Sequence, residues 1–250
     1  MTKGIRPPYG GYHKYDGPVA RTYDQTRQHE RHWIEEARFI EQYFRSRSVS
    51  QILDIPVGTG RFLRYYRHVD KVIGVDISDE MLAEAAKKVS EIPSKPDISL
   101  ERGDVFALRF HDLEFDVVVV VRLLHLIPPE LLSGAVEELC RVGREIIVQT
   151  YAKPNPTSFV DCAASSRTSE LFSRIWRRVR LGCRPQQSRR TRILSPWSHI
   201  EAFGHNQDLV DALFDGCGFT ITARTTVDEY DGGYVNFTVY SRTERQTLGR

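Results

Sequence analysis

Two carboxylates set around a pair of glycines are the part of this sequence best suited to chemistry. Asp54 ends the apolar run Ile52-Leu53, Gly58 and Gly60 follow it, and Asp76 ends a second apolar run within Lys71–Ile77. Glycines give the chain a turn that a side chain would obstruct and leave bare backbone for a ligand to approach. An acid placed one helix and one strand later can accept both hydroxyls of a ribose. The chemistry implied is the binding of a nucleotide-like molecule outside the carboxyl ends of strands, with helix N-termini nearby. A two-glycine turn also occurs without any ligand, so the weight falls on the order and spacing of what surrounds it.

The elements that must position these residues can be read from periodicity. Apolar runs and helical patterns alternate as strand 51–56, helix 60–67, strand 71–76, helix 79–90, strands 98–102 and 115–121, helix 129–142 and strand 145–150. Alternation with short connections implies a doubly wound, mostly parallel sheet. Val117–Val121 is apolar on both faces, as a central strand is. Ahead of the sheet, Trp33, Ala37, Ile40 and Phe44 share one face of a helix over 25–45. His29 and His32 on that helix read as part of its solvated side rather than as a metal pair. After residue 205 a helix over 206–217 is expected. Two alternating strands, 219–227 and 234–241, follow, joined by the hairpin signal Tyr230-Asp231-Gly232-Gly233.

These residues resemble the class I S-adenosylmethionine-dependent methyltransferases of small-molecule, Rossmann-like type, over roughly residues 19–150. The family's acid-x-Gly-x-Gly-x-Gly motif falls on Asp54, Pro56, Gly58 and Gly60, with Thr59 between the glycines. Pro56 stands where the family has its first glycine, at a position that must need no backbone N–H. The resemblance implies S-adenosyl-L-methionine as cofactor and S-adenosyl-L-homocysteine as product. It makes Asp76 the ribose acid with Ile77 beside it, Met81 a wall for the adenine, and Gly103-Asp104-Val105 the motif whose acid accepts from the adenine amine. Arg122, after the fourth strand, falls where the family has cofactor and substrate contacts. Tyr23, in Val19–Asp24, falls where a tyrosine covers cofactor or substrate. The implied fold is an α/β, seven-stranded sheet with an antiparallel last strand and a helical insertion after the fifth strand.

A nicotinamide-binding domain also offers a glycine turn and an acid after its second strand. Here Arg61-Phe62-Leu63 follows Gly60, so the third glycine of G-x-G-x-x-G is missing, and Asp54 precedes the turn where a pyrophosphate needs no acid. Methyl transfer is the favoured reading. Alignment of donor and acceptor can supply about 7–11 kcal/mol of such a reaction, so little acid–base machinery is required. Where the acceptor carries a proton, His125 is the candidate base and substrate contact, since an ordinary imidazole titrates near pH 6.5. Val120–His125 is unlike the Asn/Asp-Pro-Pro-Tyr/Phe stretch of base N-methylating enzymes, and no acid cluster suggests a metal.

The 250 residues carry a net charge of +2, so no global field favours nucleic acid or membrane. Residues 161–200 are the local exception, with nine arginines against two acids. An amphipathic helix is expected over 169–181. Arg177, Arg178 and Arg180 on it are candidate contacts for a small, anionic acceptor, and Trp197 is a further candidate after it. A solvated arginine-rich surface and a nucleic-acid-binding surface are the alternatives, as is a cofactor-binding protein without turnover. The organisation expected is a lid and leading helix at 1–46, a cofactor-binding core at 47–150, a substrate-recognition insertion at 151–205, and a completing helix and hairpin at 206–250. Four cysteines without a C-x-x-C, no signal-like apolar run at the N-terminus and no stretch near the ~20 apolar residues of a membrane span lead to a cytoplasmic expectation. The sequence does not specify an oligomeric state.

Overall fold

The computed structural model describes residues 15, 17–93, 96–152, 203–230 and 233–243. The expected helix over 169–181, the arginines 177, 178 and 180, Trp197, and Cys162 and Cys183 lie outside these residues. Two helices, α1 (Pro18–Arg27) and α2 (Arg31–Phe44), lead into β1 (Val49–Asp54). Then come β2 (Val69–Asp76), α3 (Asp79–Glu91), β3 (Asp97–Arg102), β4 (Phe115–Val120), α4 (Leu132–Val142) and β5 (Gly143–Ala152). The described chain ends with α5 (Gln207–Gly216), β6 (Phe219–Tyr230) and β7 (Gly233–Arg242).

Seven strands form one sheet in the order β3-β2-β1-β4-β5-β7-β6. The first five run parallel, and β7 enters antiparallel to both β5 and β6. Period-two alternation sends successive side chains to opposite layers. Leu53, Val118, Val120, Ile146 and Val148 pack with α4 and α5, whereas Ile52, Val117, Val119 and Ile147 pack with α2. Both faces are therefore covered, which is why β4 reads as an unbroken apolar run. The direction of chain progress reverses between β1 and β4, and an open α/β sheet leaves a crevice at such a point.

Two expected helices differ from the structure. The one over 25–45 is two helices separated at Gln28–Glu30, where Glu30 is extended (φ −67°, ψ 131°). The one over 60–67 is a single 3-10 turn at Leu63–Tyr65. Phe62, Leu63 and Tyr66 are all buried on what would be one helical face, but Gly60 holds φ at +75°, outside the right-handed helical region, so no regular helix starts there. His32 also differs: it turns inward, 3.0 Å from Glu30 and 3.5 Å from Asp228, instead of lying on a solvated face.

Candidate functional site

The site is built where β1, β2 and β4 end. The turn after β1 passes through Pro56 and Gly58 (φ +55°), and the N–H of Gly58 donates to an Asp76 carboxylate oxygen at 2.9 Å. The other Asp76 oxygen accepts from the N–H of Ser78 at 3.0 Å, and Ser78 caps α3 by accepting from Met81 N–H. Asp76 thus ties the glycine turn to the start of α3. Each carboxylate oxygen has two lone pairs, so both keep capacity for hydroxyl donors. Burial pushes the Asp76 carboxyl up, against the pull of these N–H bonds.

The two glycines do different work. A side chain at Gly58 would meet nothing within 4 Å and would project into open space. At Gly60 it would come within 2.9 Å of Leu63 and 3.0 Å of Ala85. Gly58 therefore leaves room for a ligand, and Gly60 leaves room for α3. Thr59, between them, donates to Asp24 of α1 at 2.7 Å and accepts from Lys88 of α3 at 3.0 Å.

Above the turn lies a cleft that is partly open to solvent. Pro56, Gly58, Thr59, Asp76, Ile77, Met81, Arg122 and Tyr23 all line it, so these eight of the candidates named from sequence meet here. Gly103, Asp104 and Val105 follow β3 beside it, with Gly103 N–H donating to the Asp76 carbonyl at 3.0 Å. Asp54 stands behind the lining, 1% exposed. It accepts from the Tyr66 hydroxyl at 2.8 Å, and its other oxygen is buried without a partner. Burial raises its pKa to about 7, with the Tyr66 bond and Arg61 opposing. His125 is on the 3-10 turn Leu124–Leu126, its ring edge-on to Tyr151 with centroids 4.8 Å apart. It does not line the cleft, although Leu123 and Leu126 do.

Around Arg122 the structure adds partners that were not among the candidates read from sequence. Glu36 of α2 is fully buried and receives Arg122 Nε at 3.0 Å, Arg61 Nη2, and Gln149 Nε2. Glu30 receives a second bond from Arg122 at 3.2 Å and pairs with Arg27 and His32. Burial opposes ionisation of both acids, but the surrounding cations outweigh it. The Glu36 carboxyl lies below its usual range, and Glu30 is held at about 2. Arg61 and Arg122 also sit over the Trp33 ring, at 3.8 and 5.0 Å from its centre. The one available signal was Glu36 itself, an acid three residues after Trp33 and four before Ile40, on the apolar face of α2.

The residues present fit an adenosyl donor. Asp76 keeps acceptors for a ribose, Ile77 and Met81 offer an apolar wall, the space above Gly58 is free, and Asp54 has a buried acceptor unused. Residues 52–145 match a methyltransferase domain family. The sheet order and this match are ones the chain has in common with S-adenosylmethionine-dependent methyltransferases of class I. It is similar to a phosphatidylethanolamine N-methyltransferase of Cereibacter sphaeroides, 38% identical over 102 residues, or 40% of this chain and 50% of that one. The chain thus spans about half the length of that curated relative. Among solved structures it is similar to a chain in the complex between the Haloferax volcanii Trm112 methyltransferase activator and a methyltransferase (TM-score 0.62, 15% identity, 93% of this chain and 97% of that one). It is also similar to the magnesium protoporphyrin IX methyltransferase of Synechocystis PCC 6803 with bound S-adenosylmethionine (TM-score 0.56, 16% identity, 92% and 88%). At these identities the structural likeness is one of fold.

Proposed function

We propose that the chain transfers a methyl group from S-adenosyl-L-methionine to an oxygen or nitrogen of a small metabolite. The observation that carries this reading is the bond from Gly58 N–H to Asp76 beneath open space, which joins a bare backbone turn to a ribose acceptor in one cleft. When bound, the cofactor supplies a methyl group on a sulfonium. Asp76 accepts the ribose hydroxyls, Asp104 the adenine amine, and Ile77 and Met81 flank the base. Tyr23 and Tyr15, both in the lining, cover the cleft and exclude water. His125 takes the acceptor's proton where there is one to take. Turnover of His125→Gln that kept the pH profile of the parent would remove it from that role.

The acceptor is read by the segment after β5, with Arg177, Arg178, Arg180 and Trp197 as its contacts. The bias of residues 161–200 toward arginine favours an anionic metabolite. The same bias supports a second reading, a nucleic-acid acceptor, whose affinity would fall steeply with salt. Among the described residues no helix is long and apolar enough to cross a membrane, and no group of three potential ligands could hold a metal. A cytoplasmic enzyme working without a metal is the proposal. Calorimetric titration with S-adenosylmethionine and S-adenosylhomocysteine, with NADH as control, tests the cofactor assignment. Binding in the micromolar range lost in Asp76→Ala is expected, and binding of NADH alone would overturn the reading.

A further inference from the structure

Away from the cleft, the described residues bring two thiols together. Cys140 is buried on α4, and Cys217, which follows α5, is half-buried against the same apolar cluster. With α4 packed on α5, the Cys140 thiol donates a hydrogen bond to the Cys217 sulfur. Neither residue lines the cleft, and methyl transfer there uses neither.

Two charged groups face the pair. Arg242, at the end of β7, donates from Nη2 to the Cys140 carbonyl at 2.6 Å, lies over the Phe219 ring, and keeps its Nε buried without a partner among the described residues. Its charge favours the thiolate at both sulfurs, and the Glu137 carboxylate of α4 opposes it. The bond from Cys140 holds the Cys217 thiol below its usual range in spite of burial, whereas burial pushes the Cys140 thiol up. The two sulfurs are therefore unequal. The one nearer solvent ionises first, beside a guanidinium and touching a buried thiol, and this is the setting in which one cysteine is oxidised and a second resolves it.

We propose that Cys217 and Cys140 are a peroxide-reactive pair that closes into a disulfide between the end of α5 and α4. The Cys217 thiolate attacks one oxygen of hydrogen peroxide, the O–O bond breaks, and the departing hydroxide takes up the proton that Cys217 released, leaving a sulfenic acid and water. The Cys140 sulfur then attacks the Cys217 sulfur, the S–O bond breaks, and the hydroxyl leaves as water with the Cys140 proton. Two thiols are oxidised and one peroxide is reduced to two waters. A disulfide needs its sulfurs about 2.05 Å apart, closer than a hydrogen bond holds them. Cys217 is the partner placed to move, since it stands past the last turn of α5 and ahead of Gly218 at φ +82°, and helix ends fray. The bridge closes a loop that contains β5 and the whole segment after it, which is the segment proposed to read the acceptor. In a reducing compartment such a bridge is transient and follows the oxidant.

The test treats the folded wild-type chain with hydrogen peroxide, alkylates the remaining thiols, and maps the peptides by mass spectrometry without reductant. The expected product is a peptide pair joined through Cys140 and Cys217, lighter by two hydrogens than its reduced peptides and lost on addition of dithiothreitol. In Cys140→Ser, dimedone should capture a sulfenic acid on Cys217, and in Cys217→Ser, Cys140 should stay open to alkylation after unfolding at the same peroxide dose. Both thiols of the wild type remaining reduced at a dose that oxidises glutathione would overturn the proposal. So would bridges from Cys217 to Cys162 or Cys183 in place of Cys140, or a Cys140–Cys217 bridge that forms no faster in the folded protein than in urea. The wild-type map needs no variant, so a serine variant that does not fold leaves the test decisive. Binding of S-adenosylhomocysteine is measured separately, and failure of the thiol pair leaves the cofactor reading standing.

Discussion

At the scale of single residues, two buried acids near the cleft differ in what holds them. Glu36 is ionised against burial because Arg122 and Arg61 face it. Removing its carboxylate strands two guanidinium groups in the interior, so Glu36→Ala should lose about 3–5 kcal/mol of stability in urea unfolding. Asp54 has the Tyr66 hydroxyl and little else, and burial carries it to about 7 from an ordinary 3.8. Between those values the folded protein keeps a proton that the unfolded chain has lost. Stability should therefore fall as pH rises through that window and level off above it. Asp54→Asn should flatten this dependence, with the urea midpoint gaining on the parent at pH 8 and matching it near pH 4. Asp76 lies next to Asp54 in this electrostatic balance and is also raised, so it contributes in the same direction. Neither behaviour could be read from spacing. The partners of Glu36 in Arg122 and Gln149 stand 86 and 113 residues away, and only the assembled fold brings them together.

At the scale of elements, the turn after β1 separates a requirement of the fold from a requirement of the site. Gly60→Ala meets a positive φ and contacts with Leu63 and Ala85 closer than a Cβ tolerates. Combining the backbone and overpacking costs, it should lose roughly 2–5 kcal/mol in urea unfolding. Gly58→Ala meets only the backbone cost, about 1–3 kcal/mol, while its methyl group enters the cleft and lowers affinity for S-adenosylhomocysteine in calorimetry. β1, β2 and β4 were legible in the sequence as short apolar runs, and β6 and β7 by their alternation around a hairpin signal. The segment after Gly60 was not, since Phe62, Leu63 and Tyr66 suit a helical face only if the glycine before them allows a regular helix. The break between α1 and α2 was hidden for a related reason. Glu30 leaves helical geometry where its carboxylate meets Arg122, Arg27 and His32, a local shape set by distant partners.

At the scale of the whole molecule, a ligand in the cleft bridges the turn after β1, the ends of β2 and β4, and α1, which reaches the turn through Asp24 and Thr59. Occupancy should stabilise all of these together. S-adenosylhomocysteine at about one hundred times its dissociation constant should add about 2.7 kcal/mol, seen as a rise in Tm. The order of the sheet has another consequence, for synthesis. β7 is the last of the seven strands to leave the ribosome, yet it fills the place between β5 and β6 and pairs with β5 from Glu145–Ser241 to Ala152–Tyr234. Until it emerges, β5 presents an open edge to every other chain in the cell, with Ile146, Ile147 and Val148 along it, and β6 has no neighbour in the sheet. Interrupted translation before residue 233 would release a chain with a nearly complete nucleotide cleft and a sticky side, so the burden of quality control falls on the final strand rather than on the site it leaves untouched.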